Sequence, residues 1–235
     1  MILQKLASGI RRQDWFQVTI EVLIVIIGIF LGLQVQASYE ARAERQLELA
    51  YIERLLKDAD NSILVQQATL EDMTSRIDKF QRLLDMLEDN MISDDNLDEF
   101  SKIYLETFGW RAIQYYQETM NELISSGTLS VIRSTDFRTK ISSFRDSIRL
   151  VDNSTRIFGQ NIQSARQNLY KIVKMDRNRE KIILSPSELH ENDTIYNLIN
   201  ANALYVNSMR AFSIEFHNET KKFRDEIVAE LERLQ

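Results

Sequence analysis

From Leu49 to Leu87 the apolar residues recur with a regularity that constrains the fold more than any other feature of the chain. Leu49, Leu56, Ile63, Leu70, Ile77 and Leu84 are spaced by seven. Ile52, Ala59, Gln66, Met73, Phe80 and Leu87 follow them three positions later. This a/d pattern specifies a helix with a continuous apolar seam of the coiled-coil type, and Gln66 is its one polar d position. Counted backwards, the a phase falls on Arg42, Val35, Gly28 and Glu21. No proline interrupts the stretch, and no glycine lies between Gly32 and Gly109. The spacing predicts one helix from about Trp15 to Asp89, which at ~1.5 Å per residue would exceed roughly 100 Å.

The rest of the chain points the same way. Six glycines and one proline, Pro186, serve 235 residues. Turns between strands use both residues freely and helix interiors tolerate neither. The expected fold class is therefore all-α, with the long heptad-patterned helix packed in an antiparallel helical bundle. Net charge is −6 and cysteine is absent. An acidic body disfavours nonspecific nucleic-acid binding, and the missing thiols exclude disulfides, thiolate metal sites and thiol catalysis.

The first part of the long helix is apolar. Val22 to Leu33 contains no polar side chain, and from Trp15 to Val35 the only polar residues are Gln17, Thr19, Glu21 and Gln34. About 20 residues of helix cross a hydrocarbon layer, so the run with its flanks is long enough. Trp15 and Tyr39 stand where interface aromatics belong. The expected organisation is a basic cytoplasmic tail at residues 1–14, a transmembrane helix at 15–37 and an extracytoplasmic bundle at 38–235. Lys5, Arg11 and Arg12 hold the N-terminus in the cytoplasm on this reading, although Arg42, Arg45, Arg54 and Lys57 nearly balance the count. A competing reading is a cleaved signal peptide, with Val35-Gln36-Ala37 as the processing site. Against it stand Glu21 at the head of the apolar run and a helical period that crosses the cleavage point. Within the span, Gly28 and Gly32 form a GxxxG pair, and Gln17 and Glu21 share their stripe. Small residues four apart let two helices approach in lipid, which makes these four residues candidates for homo-oligomerisation.

Further helices are expected from about Asp94 to Phe108, with Ser93 as N-cap, and from about Trp110 to Ser126, ended by a left-handed Gly127. A short turn over Leu129–Arg133 and a helix capped by Ser134 or Thr135 follow, the helix running to Met175. Ser185 or Ser187 begins another, and a last helix spans about Ala203 to Leu234. Trp110, Tyr115 and Tyr116 form an aromatic cluster read as packing surface. The acidic Glu88–Glu99 segment lacks the glycine and register of a calcium loop. Arg133, Arg138 and Arg145 are read as a solvated face rather than an anion site.

The segment "IEVLIVIIGIFLGLQVQASYEARAE", then "YIERLLKD", and "ISSGTLSVIRSTDFRTKISSF" in mid-chain resemble an uncharacterised family of bacterial single-pass membrane proteins. The motif positions are Gly32-Leu33-Gln34, then Ser126-Gly127-Thr128-Leu129 with Ile132, then Phe137-Arg138. Phe137 stands where the family has leucine, and Ala37-Ser38-Tyr39 departs from its Asn-Trp-type ending. The resemblance implies a membrane location and marks Gln34, Ser126, Gly127, Leu129, Ile132 and Arg138, but it implies no activity. The two histidines, His190 and His217, fall on different helices without metal-ligand spacing, and there is no phosphate loop and no nucleophile elbow. The chain is therefore expected to be neither enzyme nor cofactor carrier. Its expected partners are the lipid bilayer and either further copies of itself or another membrane protein. A scaffold in the inner membrane is the first reading, and a sensor-like ligand-binding bundle signalling through a separate membrane partner is the second.

Overall fold

The computed structural model describes residues 15–109, 111–178 and 180–234. The basic tail with Lys5, Arg11 and Arg12, and Trp110 of the aromatic cluster, lie outside the described residues, as do the side chains of Trp15 and Gln17. The helices are α1 (Trp15–Glu88), α2 (Leu97–Thr107), α3 (Glu118–Ser125), α4 (Thr135–Ile172), α5 (Pro186–His190) and α6 (Asp193–Leu234). One turn of 3-10 helix covers Thr128–Val131. The β pairing among the described residues is a single bridge, Met175 to Ile182. The protein is all-α, with a long N-terminal helix and a helical bundle. Packing divides it into two units, Met1–Ala50 and Tyr51–Gln235, and the bundle is the second.

Four layers alternate in direction through the bundle. Along α1, Asp60, Gln66 and Thr74 meet Arg224, Thr220 and Arg210 of α6, so these helices are antiparallel. Phe137, Phe144 and Ser147 of α4 meet Phe223, Phe216 and Glu219, so α4 also opposes α6. The remaining layer is α2, the segment 111–117 and α3, which together run antiparallel to α1. Its contacts are Glu99 with Arg82, the Glu106 carbonyl with Arg76, the Gln114 carbonyl with Gln66, and Glu122 with Arg54. This is up-down-up-down connectivity with one layer broken in its middle.

The break corrects the expected helix over Trp110–Ser126. Residues 111–117 form no helix, and α3 begins only at Glu118. Length supplies one reason. The partners of Arg76 and Arg54 are Glu106 and Glu122, so 16 residues must match 22 of α1. As helix those 16 would cover about 24 Å against about 33 Å, and an extended strap at ~3.3 Å per residue makes up the difference. The strap alternates as extended chain does, with Ile113 buried and Tyr115 half-buried, while Gln114 and Tyr116 are exposed. Its backbone groups find side chains on α1. The Tyr116 amide donates to Ser62 Oγ (2.8 Å), the Thr119 amide to Asp58 Oδ2 (3.2 Å), and the Gln114 carbonyl accepts from Gln66 Nε2 (3.0 Å). Asp58, Ser62 and Gln66 are one helical turn apart, so they form a ladder along one stripe.

α2 is also shorter than expected at its start. Its N-cap is Asn96, not Ser93. The Asn96 side chain turns back instead, accepting from the Ser93 amide and donating to the Met91 carbonyl. Downstream, Ser134 caps α4 by accepting from the Phe137 amide, and Ser185 caps α5 through a reciprocal box with Glu188.

The heptad positions sort cleanly by depth. All d residues from Ile52 to Leu87 are buried, Gln66 among them, whereas the a residues from Leu56 to Leu84 are half-buried. The other deep stripe is g, with Leu55, Ser62, Thr69 and Leu83 fully buried. A two-stranded seam would centre between a and d. This helix is covered on a broader face centred on d, as a bundle helix is. The core has two apolar regions. One stacks Phe144 on Phe223 (4.2 Å between centroids) and on Phe216 (6.0 Å). The other gathers Phe80, Leu83, Phe100, Tyr104, Leu169 and Ile199. Between them lie Ser62, Gln66 and Thr69 on α1 and Ser213, His217 and Thr220 on α6, all buried.

Removing the hub of that polar layer should be costly. Gln66→Leu leaves the buried His217 Nδ1 without its partner, at roughly 1–3 kcal/mol, and removes the strap's bond at the Gln114 carbonyl. Denaturant unfolding of the full chain in detergent should show that loss. Leu64→Ala, at a side chain 69% exposed, should fall within about 0.5 kcal/mol of the wild type.

Candidate functional site

The apolar stretch of α1 presents its side chains outward on every face. Ile20 through Val35 are exposed, from 40% at Ile20 to 71% at Val35. One helix among the described residues is long and apolar enough to cross a membrane. Glu21, Gly28 and Gly32 lie on this exposed surface, and a Cβ built on either glycine meets no atom within 4 Å. Nothing in the unit fills the notch they leave. At the end of the run the polar groups turn on their own helix. Ser38 Oγ donates to the Gln34 carbonyl, and Gln36 donates to Glu40.

The mid-chain motif builds a corner. Ser126 ends α3, its hydroxyl donating to the Glu122 carbonyl and meeting Thr128 Oγ1. Gly127 takes a left-handed conformation, φ +72°, which a side chain disfavours. Leu129 sits half-buried in the 3-10 turn, and Ile132 is completely buried. Arg138, one turn into α4, donates to the Ile132 carbonyl (2.9 Å) and to Thr135 Oγ1 (3.1 Å). Arg138 thus fastens the turn to the helix that follows it, and the motif residues come together around this corner. Glu122, on the same short helix, receives hydrogen bonds from Arg54 and Tyr51, which hold its carboxyl below the usual range.

The histidines are far from one another in the bundle's layers. His190 faces the Leu87 and Ile92 carbonyls with its two ring nitrogens (3.3 and 3.1 Å). His217 faces Gln66. Among the described residues no three His, Asp or Glu side chains gather as metal ligands would. The acids of the Glu88–Glu99 segment include Asp98 and Glu99, which pair with Lys181 and Arg82. Two buried phenols, Tyr104 and Tyr115, are held well above the usual tyrosine range, chiefly by burial. Tyr115 packs edge-on against Phe144 (4.9 Å), as packing surface, while Tyr116 is exposed. Asp58 and Ser62, and the pairing of His217 with Gln66, are not visible in the sequence, because isolated polar residues inside a helical period look like solvent-facing ones.

A groove of about 720 Å³ follows the outer face of α1. Leu70, Thr74, Asp78 and Arg82 line it, with Ile103 of α2 and Arg210 of α6 at its sides. Arg210 Nε donates to Thr74 Oγ1 (2.8 Å).

No family model, no curated protein and no solved structure matches the chain.

The corner's energetics are testable at one residue. Gly127→Ala meets no steric neighbour, so its cost is the left-handed backbone alone, about 1–2 kcal/mol. Chemical denaturation should report that loss, and Gly127→Asn, which tolerates this conformation, should recover part of it.

Proposed function

We propose that the chain is a non-enzymatic scaffold, anchored in a bacterial inner membrane by residues 15–37, with its N-terminus cytoplasmic and its bundle in the periplasm. The observation that carries this reading is the run of exposed apolar side chains from Ile20 to Val35, broken in charge only by Glu21 at its head. Such a surface is stable only when something apolar covers it, and the run with its flanks, residues 15–37, is long enough to cross the hydrocarbon layer. Lys5, Arg11 and Arg12 set the orientation. Glu21, Gly28 and Gly32, with Gln17, form the contact between copies, and the bundle is offered to protein partners. The family resemblance supports the membrane assignment and adds no activity.

A second reading keeps the anchor and makes the bundle a sensor of a small molecule, with a separate membrane partner as output. The groove beside Leu70, Ile103 and Arg210 favours it, since it sets apolar side chains beside charged groups of both signs, Arg82 and Arg210 with Glu71 and Asp78. Thermal stabilisation of the bundle by a small anion would select this reading. Stable co-purification with another membrane protein would select the scaffold.

Full-length protein made in bacterial cells tests the anchor. It should resist carbonate extraction, retain its complete intact mass, and expose its bundle to protease only from the periplasmic side. A mature chain beginning at Ser38 would remove the anchor from the proposal. Gly28→Leu and Gly32→Leu should each shift the detergent-solubilised oligomer toward monomer, while Gly159→Ala should not. Oligomers of unchanged size in both leucine variants would refute the stripe.

A further inference from the structure

Within the polar layer of the bundle, His217 is the one ionisable side chain, and its neighbours fix where its proton sits. Its Nδ1 lies 3.1 Å from Gln66 Oε1. The Gln66 amide nitrogen donates to the Gln114 carbonyl and to Thr220 Oγ1, so the amide oxygen must face the ring. An oxygen only accepts, so Nδ1 carries the hydrogen and Nε2 the lone pair. That Nε2 is buried and has no hydrogen-bond partner among the described residues, in a side chain 4% exposed. We propose that the Gln66–His217 contact is an acid-sensitive catch: proton uptake at Nε2 opens it and loosens the strap, residues 111–117, on α1.

The second proton meets no acceptor in place: the buried Ser213 hydroxyl, one turn earlier on α6, is itself without a partner and makes no hydrogen bond to Nε2. On α6 the nearby Lys221 ammonium opposes it, and Glu219 is turned to Ser147. On α1 the carboxylates nearest in sequence are occupied: Asp60 by Arg224, Glu71 by Gln67, Asp72 by Arg76. The strap brings the Gln114 carbonyl, already bonded to Gln66, and next to it Tyr115, whose phenol burial keeps protonated. α4 brings the neutral ring of Phe144, stacked on Phe216. A charged imidazolium must therefore leave for water. Its departure strips Gln66 Oε1 of a donor and lets the side chain turn, which loosens one of the three α1 contacts that seat the strap. Burial first, and Lys221 second, keep the ring's pKa below the ordinary value. The sign follows. In the open or unfolded chain His217 takes its proton near pH 6.5, and in the closed bundle it does not. The closed state is at full strength above that pH and weakens as pH falls through it, by at most about tenfold per pH unit.

Hydrogen exchange on the full chain in detergent micelles, read by mass spectrometry at pH 7.5 and 5.5, tests the catch. Rates are converted to protection factors, with peptides from α4 as the internal reference. Peptides covering 111–119 should lose about three- to tenfold protection relative to α4 at the lower pH. His217→Gln, which cannot take the proton, should abolish that relative loss. An equal loss in wild type and variant would overturn the proposal. Should the variant fail to fold, deuterium exchange at the His217 ring C2 in the wild type decides. A titration midpoint below about 6.5 supports the catch, and one at or above it overturns it.

Discussion

The bundle depends on the three α1 side chains that receive an unwound strap. Asp58, Ser62 and Gln66 stand one turn apart and offer, in order, two acceptors and a donor. An extended segment laid against a helix has no ladder partner for its backbone amides and carbonyls. Leaving such groups buried and unmet costs as much as losing the hydrogen bond outright. The side chains of α1 supply what a neighbouring strand would otherwise supply. Without them residues 111–117 would have to coil into helix and fall short of α1, or leave its surface.

The same residues hold the middle of the core polar. Apolar regions lie on either side of Ser62, Gln66 and Thr69, and apolar packing alone tolerates sliding by a heptad. A glutamine that must meet a histidine, a threonine and a carbonyl at one height does not. Buried polar groups are best attested in this registry role. In this bundle they fix α1, α6 and the strap relative to one another. The Ser126-to-Arg138 corner does comparable work between α3 and α4, where Arg138 closes on the Ile132 carbonyl.

Much of this was legible in the sequence, for stated physical reasons. A period of seven sustained from Ile52 to Leu87 marks a buried stripe, and every d position is buried. Phe137, Ile141, Phe144, Ile148 and Val151 recur at helical spacing along α4, and all five are buried. Gly127 announced its left-handed turn because few other residues take that conformation at small cost. What escaped is long-range pairing. Gln66 stood out as a flaw in the seam, but its partners lie 48, 151 and 154 residues away. Nothing in the sequence sets Ser62 and Thr69 apart from the hydroxyls of an exposed helix face, yet both are buried. Residues 111–117 looked helical because nothing local forbids a helix there. The lengths that forbid it belong to α1, and they become visible only when the layers are set side by side.

The unwound strap also changes how the second layer accommodates sequence change. Along an unbroken helix, one inserted residue rotates everything downstream by about 100° and turns a buried face to water. Extended chain between α2 and α3 transmits no such rotation. Each short helix can settle its own azimuth against α1, so length variation entering at the strap need not unseat the packing on either side. The layer behaves as two independently seated struts joined by a tie that carries no helical phase.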